Sequence, residues 1–309
     1  MAGTFSFESV KRCYSTWGDT YFDDYYGAKA TYPQVQVDIV RNLLRDVGAR
    51  NVLDAGCGPA SMLRQLTELD LELYGFDLTA EMIASGRKVF SELKLDPSRL
   101  WEGNVVDPAA YRYPGDPNVK FDAILCSGVF PHIPVESEPK VIGNLFNAVR
   151  PGGLVVSEFR NEFFALYTLN RYSRDFMFER VIEADVLRGI AGAEREKLDK
   201  ALTRFEGMYR TDLPPIRKGK ADEPGYDEVL SRLHNPLVIQ DGFRAAGFAQ
   251  VEHYFYHFHA LPPMFGSEVP ELFRARSIAL ESNPRDWRGL FMASAFVIAA
   301  RRPAAGEKA

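Results

Sequence analysis

Three cysteines in 309 residues, Cys13, Cys57 and Cys126, are too few, odd in number and too widely spaced for a disulfide framework, so reduced thiols are expected. Dense basic runs are missing too. The 37 Lys and Arg stand against 42 Asp and Glu, a net charge of −5, and Arg217-Lys218-Gly219-Lys220 is too short to track a polyanion; a nucleic-acid partner is not expected. Long apolar runs are absent. The longest, FMASAFVIAA at 291–300, falls short of the ~18–20 residues a membrane span needs, and the first fifteen residues lack the continuous apolar stretch of an export signal. A cytoplasmic protein with no membrane partner is expected, with neither internal repeats nor long low-complexity segments.

The apolar share of 46% and charged share of 26% are those of an ordinary globular chain. Its length allows one elaborated domain or two, and one core with an inserted cap is the arrangement favoured here.

The most informative stretch is NVLDAGCGPA at 51–60. Val52 and Leu53 read as a buried strand, Gly56 and Gly58 as a tight turn able to approach a ligand, and residues 61–69 as a helix facing that turn. A dinucleotide site would carry G-x-G-x-x-G, but Ser61 stands at the third glycine and Asp54 would meet a pyrophosphate with negative charge. That carboxylate suits a cation. S-adenosylmethionine (SAM), with its ammonium, its sulfonium and no phosphate, fits where NAD does not.

Residues 73–76 read as a second strand ending at Asp77, nineteen positions past Gly58; this is close to the ~20-residue spacing at which an acid binds a ribose diol. Leu100-Trp101 leads to Gly103-Asn104-Val105, where an amide is placed to read an adenine edge. FDAILC at 121–126 is a fourth strand, and Val149-Arg150-Pro151-Gly152-Gly153 reads as a helix stop and turn before a fifth, LVVSEF.

In this order the motifs DAGCGPA, GFD, EGN, FDAILCSGVFPHI and RPGGLVV resemble those of the class I SAM-dependent methyltransferases, over about residues 45–160 and the end of the chain. Ala60 replaces the usual third glycine, and Asn104 stands where an aspartate is commoner. The resemblance implies an α/β fold: a Rossmann-like, seven-stranded, mostly parallel sheet with helices on both faces and, here, a helical insertion after the fifth strand. It implies SAM as cofactor, with S-adenosylhomocysteine as product, held by Asp54, Gly56, Gly58, Asp77, Leu78, Asn104, Val105, Cys126 and Ser127.

The expected division is an N-terminal aromatic, helical lid (1–44), the cofactor core (45–160), a mainly helical insertion shaping the acceptor site (161–235), the end of the core sheet (236–300) and a polar tail (301–309). In the family, segments before the first strand often fold over the cofactor, so Tyr14, Trp17, Tyr21, Tyr25, Tyr26 and Tyr32 are candidates to wall that side. Tyr21 and Tyr32 are taken as acceptor contacts, against the alternative that they pack the core. The insertion's alternative is a dimerisation or purely structural element, which leaves a homodimer open.

Methyl transfer requires in-line orientation and, for a protonated acceptor, a base. The family has no universal catalytic residue. His132, Glu158, His257 and His259 are the candidate catalytic groups, and Arg160, Asn161, His234 and Asn235 the candidate acceptor contacts; Asn235 reads equally as the N-cap ahead of Pro236. His253, Phe255, His257 and His259 alternate on one strand face, with Tyr254, Tyr256 and Phe258 on the other. Residues i and i+2 lie ~6.5–7 Å apart and carboxylates are not evident nearby, so no metal is expected. The acceptor is expected to be a sugar- or secondary-metabolite-like small molecule methylated on oxygen or nitrogen. A protein acceptor, and a SAM-binding regulatory protein without catalysis, stay as alternatives.

Overall fold

The computed structural model describes residues 7–15, 22, 35–190, 192–212 and 229–306. Trp17, Tyr21, Tyr25, Tyr26 and Tyr32, and the Pro/Gly-rich stretch 213–228, lie outside the described residues.

In chain order the core begins with helices α1 (Phe7–Tyr14) and α2 (Val35–Asp46), then β1 (Asn51–Ala55), β2 (Glu72–Asp77), α3 (Ala80–Glu92), β3 (Leu100–Glu102), β4 (Phe121–Cys126), α4 (Glu138–Ala148) and β5 (Val149–Arg160). Residues 161–235 contain α5 (Phe164–Thr168), α6 (Arg171–Asp175), a π-helical turn at Phe176–Val181, α7 (Ala184–Ile190) and α8 (Arg195–Glu206). The chain then returns through α9 (Pro236–Ala245), β6 (Gln250–Phe258), α10 (Pro270–Leu280), α11 (Gly289–Met292) and β7 (Ala293–Arg301).

Among the described residues seven strands form one sheet of order β3-β2-β1-β4-β5-β7-β6. The first five are parallel, and β7 runs antiparallel between β5 and β6. Strands such as β1 and β4 are apolar without alternation because both faces are covered. Val52, Leu125, Val156 and Val297 pack on α2 and α3 through Val40, Leu44, Ile83 and Phe90. Leu53, Ile124, Val155 and Phe296 pack on the other face with Leu145 of α4 and Phe243 of α9. Strand order reverses between β1 and β4, which opens the crevice at the carboxyl ends where such sheets bind ligands.

Four local readings are corrected. The helix expected over 61–69 is only a 3₁₀ turn, Leu63–Leu66, since no side chain caps its start and Ala60, at φ +61°, enters it from a left-handed backbone. The turn expected at 149–153 is absorbed into β5 as an irregularity in its pairing with β4. The apolar pattern after residue 161 is broken at Leu169, φ +53°, after which Asn170 caps α6 by accepting from the Tyr172 amide. Finally, β6 does not alternate to its end. His257 has φ +55°, so Phe258 joins Phe255 in one core layer while Tyr254 and Tyr256 stay in the other. The Glu281 carboxylate accepts from the Phe258 amide at 2.7 Å, beside this kink.

Candidate functional site

The carboxyl ends of β1 to β4 and the turns after them supply one pocket: Asp54, Gly56 and Gly58 from β1 and its turn, Asp77, Leu78 and Thr79 from β2, Gly103 to Val105 after β3, and Ser127 to Val129 with His132 after β4. Main-chain bonds knit these turns together. The amides of Gly56 and Cys57 donate to the Phe76 carbonyl at 2.8 and 2.9 Å, and Gly103 donates to the Asp77 carbonyl at 2.8 Å. Gly56 has φ +88°, and a Cβ there would run into Val129 Cγ2, so this turn needs glycine on two counts. Ala60 holds, with a side chain, the left-handed conformation that the family's usual glycine adopts without strain.

Asp77 is bonded by two amides, Gly58 to Oδ2 and Thr79 to Oδ1, both at 2.9 Å. Burial pushes its carboxyl above the ordinary value, against those hydrogen bonds, which favour the charged form. Asp54 is 2% exposed and its Oδ1 has no hydrogen-bond partner. Burial, and then the charges of Asp77 and Glu158, push it up to about 7. Glu158 is raised mainly by burial, with Tyr256 donating to it. Two carboxylates, Asp54 and Asp77, thus line the pocket, with Glu158 behind Asp54 and outside the lining, and no Lys or Arg is among the described residues of that lining. An orphaned buried carboxylate oxygen and an uncompensated negative wall suit a cationic ligand and oppose a pyrophosphate. Leu78, Met82, Val105 and Ile133 supply apolar lining, and Asn104 an amide; its Oδ1 accepts from the Val106 amide at 3.1 Å.

On the opposite side α1 turns Phe7, Val10 and Tyr14, at i, i+3 and i+7, into the pocket. The Tyr14 hydroxyl lies 2.8 Å from His132 Nε2, and His132 Nδ1 lies 2.6 Å from the Leu230 carbonyl oxygen. A carbonyl only accepts, so Nδ1 carries hydrogen.

The pocket brings together Asp54, Gly56, Gly58, Asp77, Leu78, Asn104, Val105, Ser127 and His132. Cys126 lies behind them, fully buried in the sheet, and burial raises its thiol well above the ordinary value. Asn161 is spent on structure: its amide donates to the carbonyls of Gly289, Leu290 and Ala293, and Oδ1 accepts from Phe163. Asn235 is the N-cap of α9, accepting from the Leu237 and Val238 amides. Arg160 donates to Ser231, and His234 Nε2 donates to Glu138 at 2.8 Å. His257 and His259 do not line this pocket; His259 packs tilted against Phe164 and edge-on against Phe273. Burial depresses both rings to about 4. The three histidines of β6 and its end do not act as one cluster, because His253 Nε2 instead donates to the Pro236 carbonyl at 3.0 Å. No metal-holding group of His, Cys, Asp or Glu occurs among the described residues. Sequence reasoning missed Thr79 and Met82, which carry no motif of their own, and did not single out Val129 and Ile133 within FDAILCSGVFPHI as lining residues.

A parallel sheet closed by an antiparallel β7, with an anionic, phosphate-averse pocket at its switch point, defines the class I methyltransferase architecture. Residues 52–153 match a family model described as a methyltransferase domain. Over these residues the chain carries a methyltransferase domain, an enzyme unit that takes SAM as its cofactor. The chain is 24% identical over 204 residues, 66% of this chain and 71% of the relative, to the ubiquinone biosynthesis O-methyltransferase of Sodalis glossinidius (strain morsitans). Its fold is similar to that of a SAM-dependent methyltransferase from Clostridium acetobutylicum, with TM-score 0.54 and 12% identity over 94% of this chain and 100% of that one. It is also similar to an O-methyltransferase family protein from Burkholderia thailandensis, with TM-score 0.52 and 18% identity, covering 98% of this chain but 64% of that longer one. No helix of the described residues is long and apolar enough to cross a membrane.

Proposed function

We propose that this enzyme methylates a hydroxyl oxygen, or an amine nitrogen, of a small molecule, with His132 as the group that takes the acceptor's proton. The observation that carries the reading is His132 itself: buried in the pocket wall, with hydrogen on Nδ1, its Nε2 accepts from the Tyr14 hydroxyl, and an acceptor hydroxyl that takes the place of Tyr14 would meet that lone pair. The cofactor supplies an activated methyl group when bound. Asp77 would hold its ribose, Asp54 its cationic end and Asn104 its adenine edge, with Leu78 and Val105 against the base.

A small acceptor is favoured because α1 lines the pocket opposite the strand-end turns through Phe7, Val10 and Tyr14. Oxygen is favoured over nitrogen by the relatives named for O-methylation. The aromatic and helical stretch 161–235 would cap the acceptor, beside Arg160 and Glu158 at the end of β5.

The test is transfer of labelled methyl from SAM to a panel of phenols, sugars and amines. Turnover of a phenol or sugar, falling ~10²–10⁴-fold in His132→Gln with SAM affinity little changed, is expected. Full turnover in that variant removes His132 as the base, and methylation of peptides alone overturns the small-molecule reading.

A further inference from the structure

His132 owes its tautomer to a residue almost a hundred positions away. Leu230 lies in an irregular stretch, and its carbonyl is held 2.6 Å from Nδ1 through the anchored residues 232–234. The Arg232 amide donates to the Pro131 carbonyl, and Arg232 Nη1 to the Ile133 carbonyl, each at 2.9 Å. The same guanidinium pairs with Glu138, and His234 Nε2 donates to Glu138 Oε1 at 2.8 Å. The His234 amide donates to the Arg160 carbonyl at 2.8 Å, and its carbonyl accepts from Glu162 at 2.9 Å. Residues 230–234 are therefore a strap, pinned at its base to the end of β5 and along its length to the turn that carries His132.

Glu138 grips the strap at two points, Arg232 and His234. It is the first residue of α4, where the helix's unpaired amides favour a carboxylate. Burial pushes its carboxyl up, but the His234 hydrogen bond and the Arg232 charge outweigh this and hold it below the ordinary value. It does not line the pocket.

Resting on the reading of His132 as base, we propose that Glu138 is a positioning residue: through Arg232 and His234 it holds the strap so that the Leu230 carbonyl fixes His132 with its hydrogen on Nδ1 and its lone pair on Nε2. Loss of that acceptor lets the ring place its hydrogen on Nε2, where it can donate but not accept. The insertion then serves chemistry through its final residues as well as by covering the acceptor.

The full chain labelled with ¹⁵N-histidine tests this through ring nitrogen correlations above the ring's pKa, with the His132 signal assigned by its loss in His132→Gln. In the wild type the Nδ1–H form of His132 is expected to dominate. In Glu138→Ala it should fall to a minority, while SAM affinity by calorimetry changes less than about threefold. Glu138→Gln, whose amide oxygen still accepts from Arg232 and His234, should largely restore it. An unchanged tautomer in Glu138→Ala, or an Nε2–H ring in the wild type, overturns the proposal. Should Glu138→Ala fail to fold, Arg232→Gln decides by the same readout. Turnover plays no part in this measurement, so a His132→Gln variant that stays active would sink the base assignment and leave the positioning result standing or falling on its own.

Discussion

Asp77 Oδ2 accepts the Gly58 amide hydrogen at 2.9 Å, joining the acid at the end of β2 to the glycine turn at the end of β1. This one bond explains why an acid nineteen residues away in sequence belongs to the glycine motif. It organises the turn before any ligand arrives, and leaves the carboxylate at the pocket wall with capacity for further donors.

Asp77→Ala is therefore expected to weaken SAM binding by ~1.5–3 kcal/mol, roughly ten- to a hundredfold, through a lost charge-assisted hydrogen bond and a looser turn. Calorimetry on the folded variant measures this. Unchanged affinity would take Asp77 out of the site.

Cofactor binding should be coupled to protonation of Asp54. With its carboxyl pushed up to about 7, the ligand-free protein holds a proton there below neutrality, and a cation beside it drives that proton off. Affinity should rise with pH up to about 7, by at most ~tenfold per unit, and level off above. The raised value also means that Asp54's contribution to stability, intact below the ordinary carboxylate range, is lost as pH rises through about 7 without ligand. Comparing binding enthalpies in buffers of different ionisation enthalpy counts the proton, and Asp54→Asn should release none. A flat affinity from pH 6 to 8 would rule the coupling out.

The opposite sign applies to His257 and His259. Their rings are depressed to about 4, so the stability they carry is complete above about 6.5 and is lost as pH falls through 4. Denaturant unfolding should show a fall of ~1–3 kcal/mol per ring over that interval, smaller in His257→Asn and His259→Asn. An equal fall in both variants would show that these rings are not the source.

Replacing residues 164–228 by a short linker, while keeping 229–235, should leave SAM affinity largely intact and abolish methylation of the acceptor. The bridge between Asn161 and His234 holds the two ends of this stretch side by side, so a short linker can join them. Normal acceptor turnover in a folded, shortened protein would end the idea of a cap.

Local chemistry alone placed the turns that line the pocket. Strand, glycine turn and acid repeat at short range in β1 and β2, and the requirement for a tight turn beside a carboxylate is written into Asp54, Gly56, Gly58 and Asp77 themselves. The same legibility covers the α9 cap at Asn235, where a side chain bonds an amide two residues on.

What the sequence could not reveal depends on contacts between distant segments. Alternation placed Phe258 with the tyrosines, but the left-handed backbone at His257 turned it into the other layer. Asn161 reads from sequence as a candidate acceptor contact, but three carbonyls from residues 289–293 close around its amide. His132 was legible as a candidate, but its tautomer was not: that is fixed by the Leu230 carbonyl, 98 positions away. Residue types and short spacings determine which groups can meet a ligand, while the folded chain decides which of their lone pairs remain available, because each buried polar atom takes whatever partner packing brings within reach.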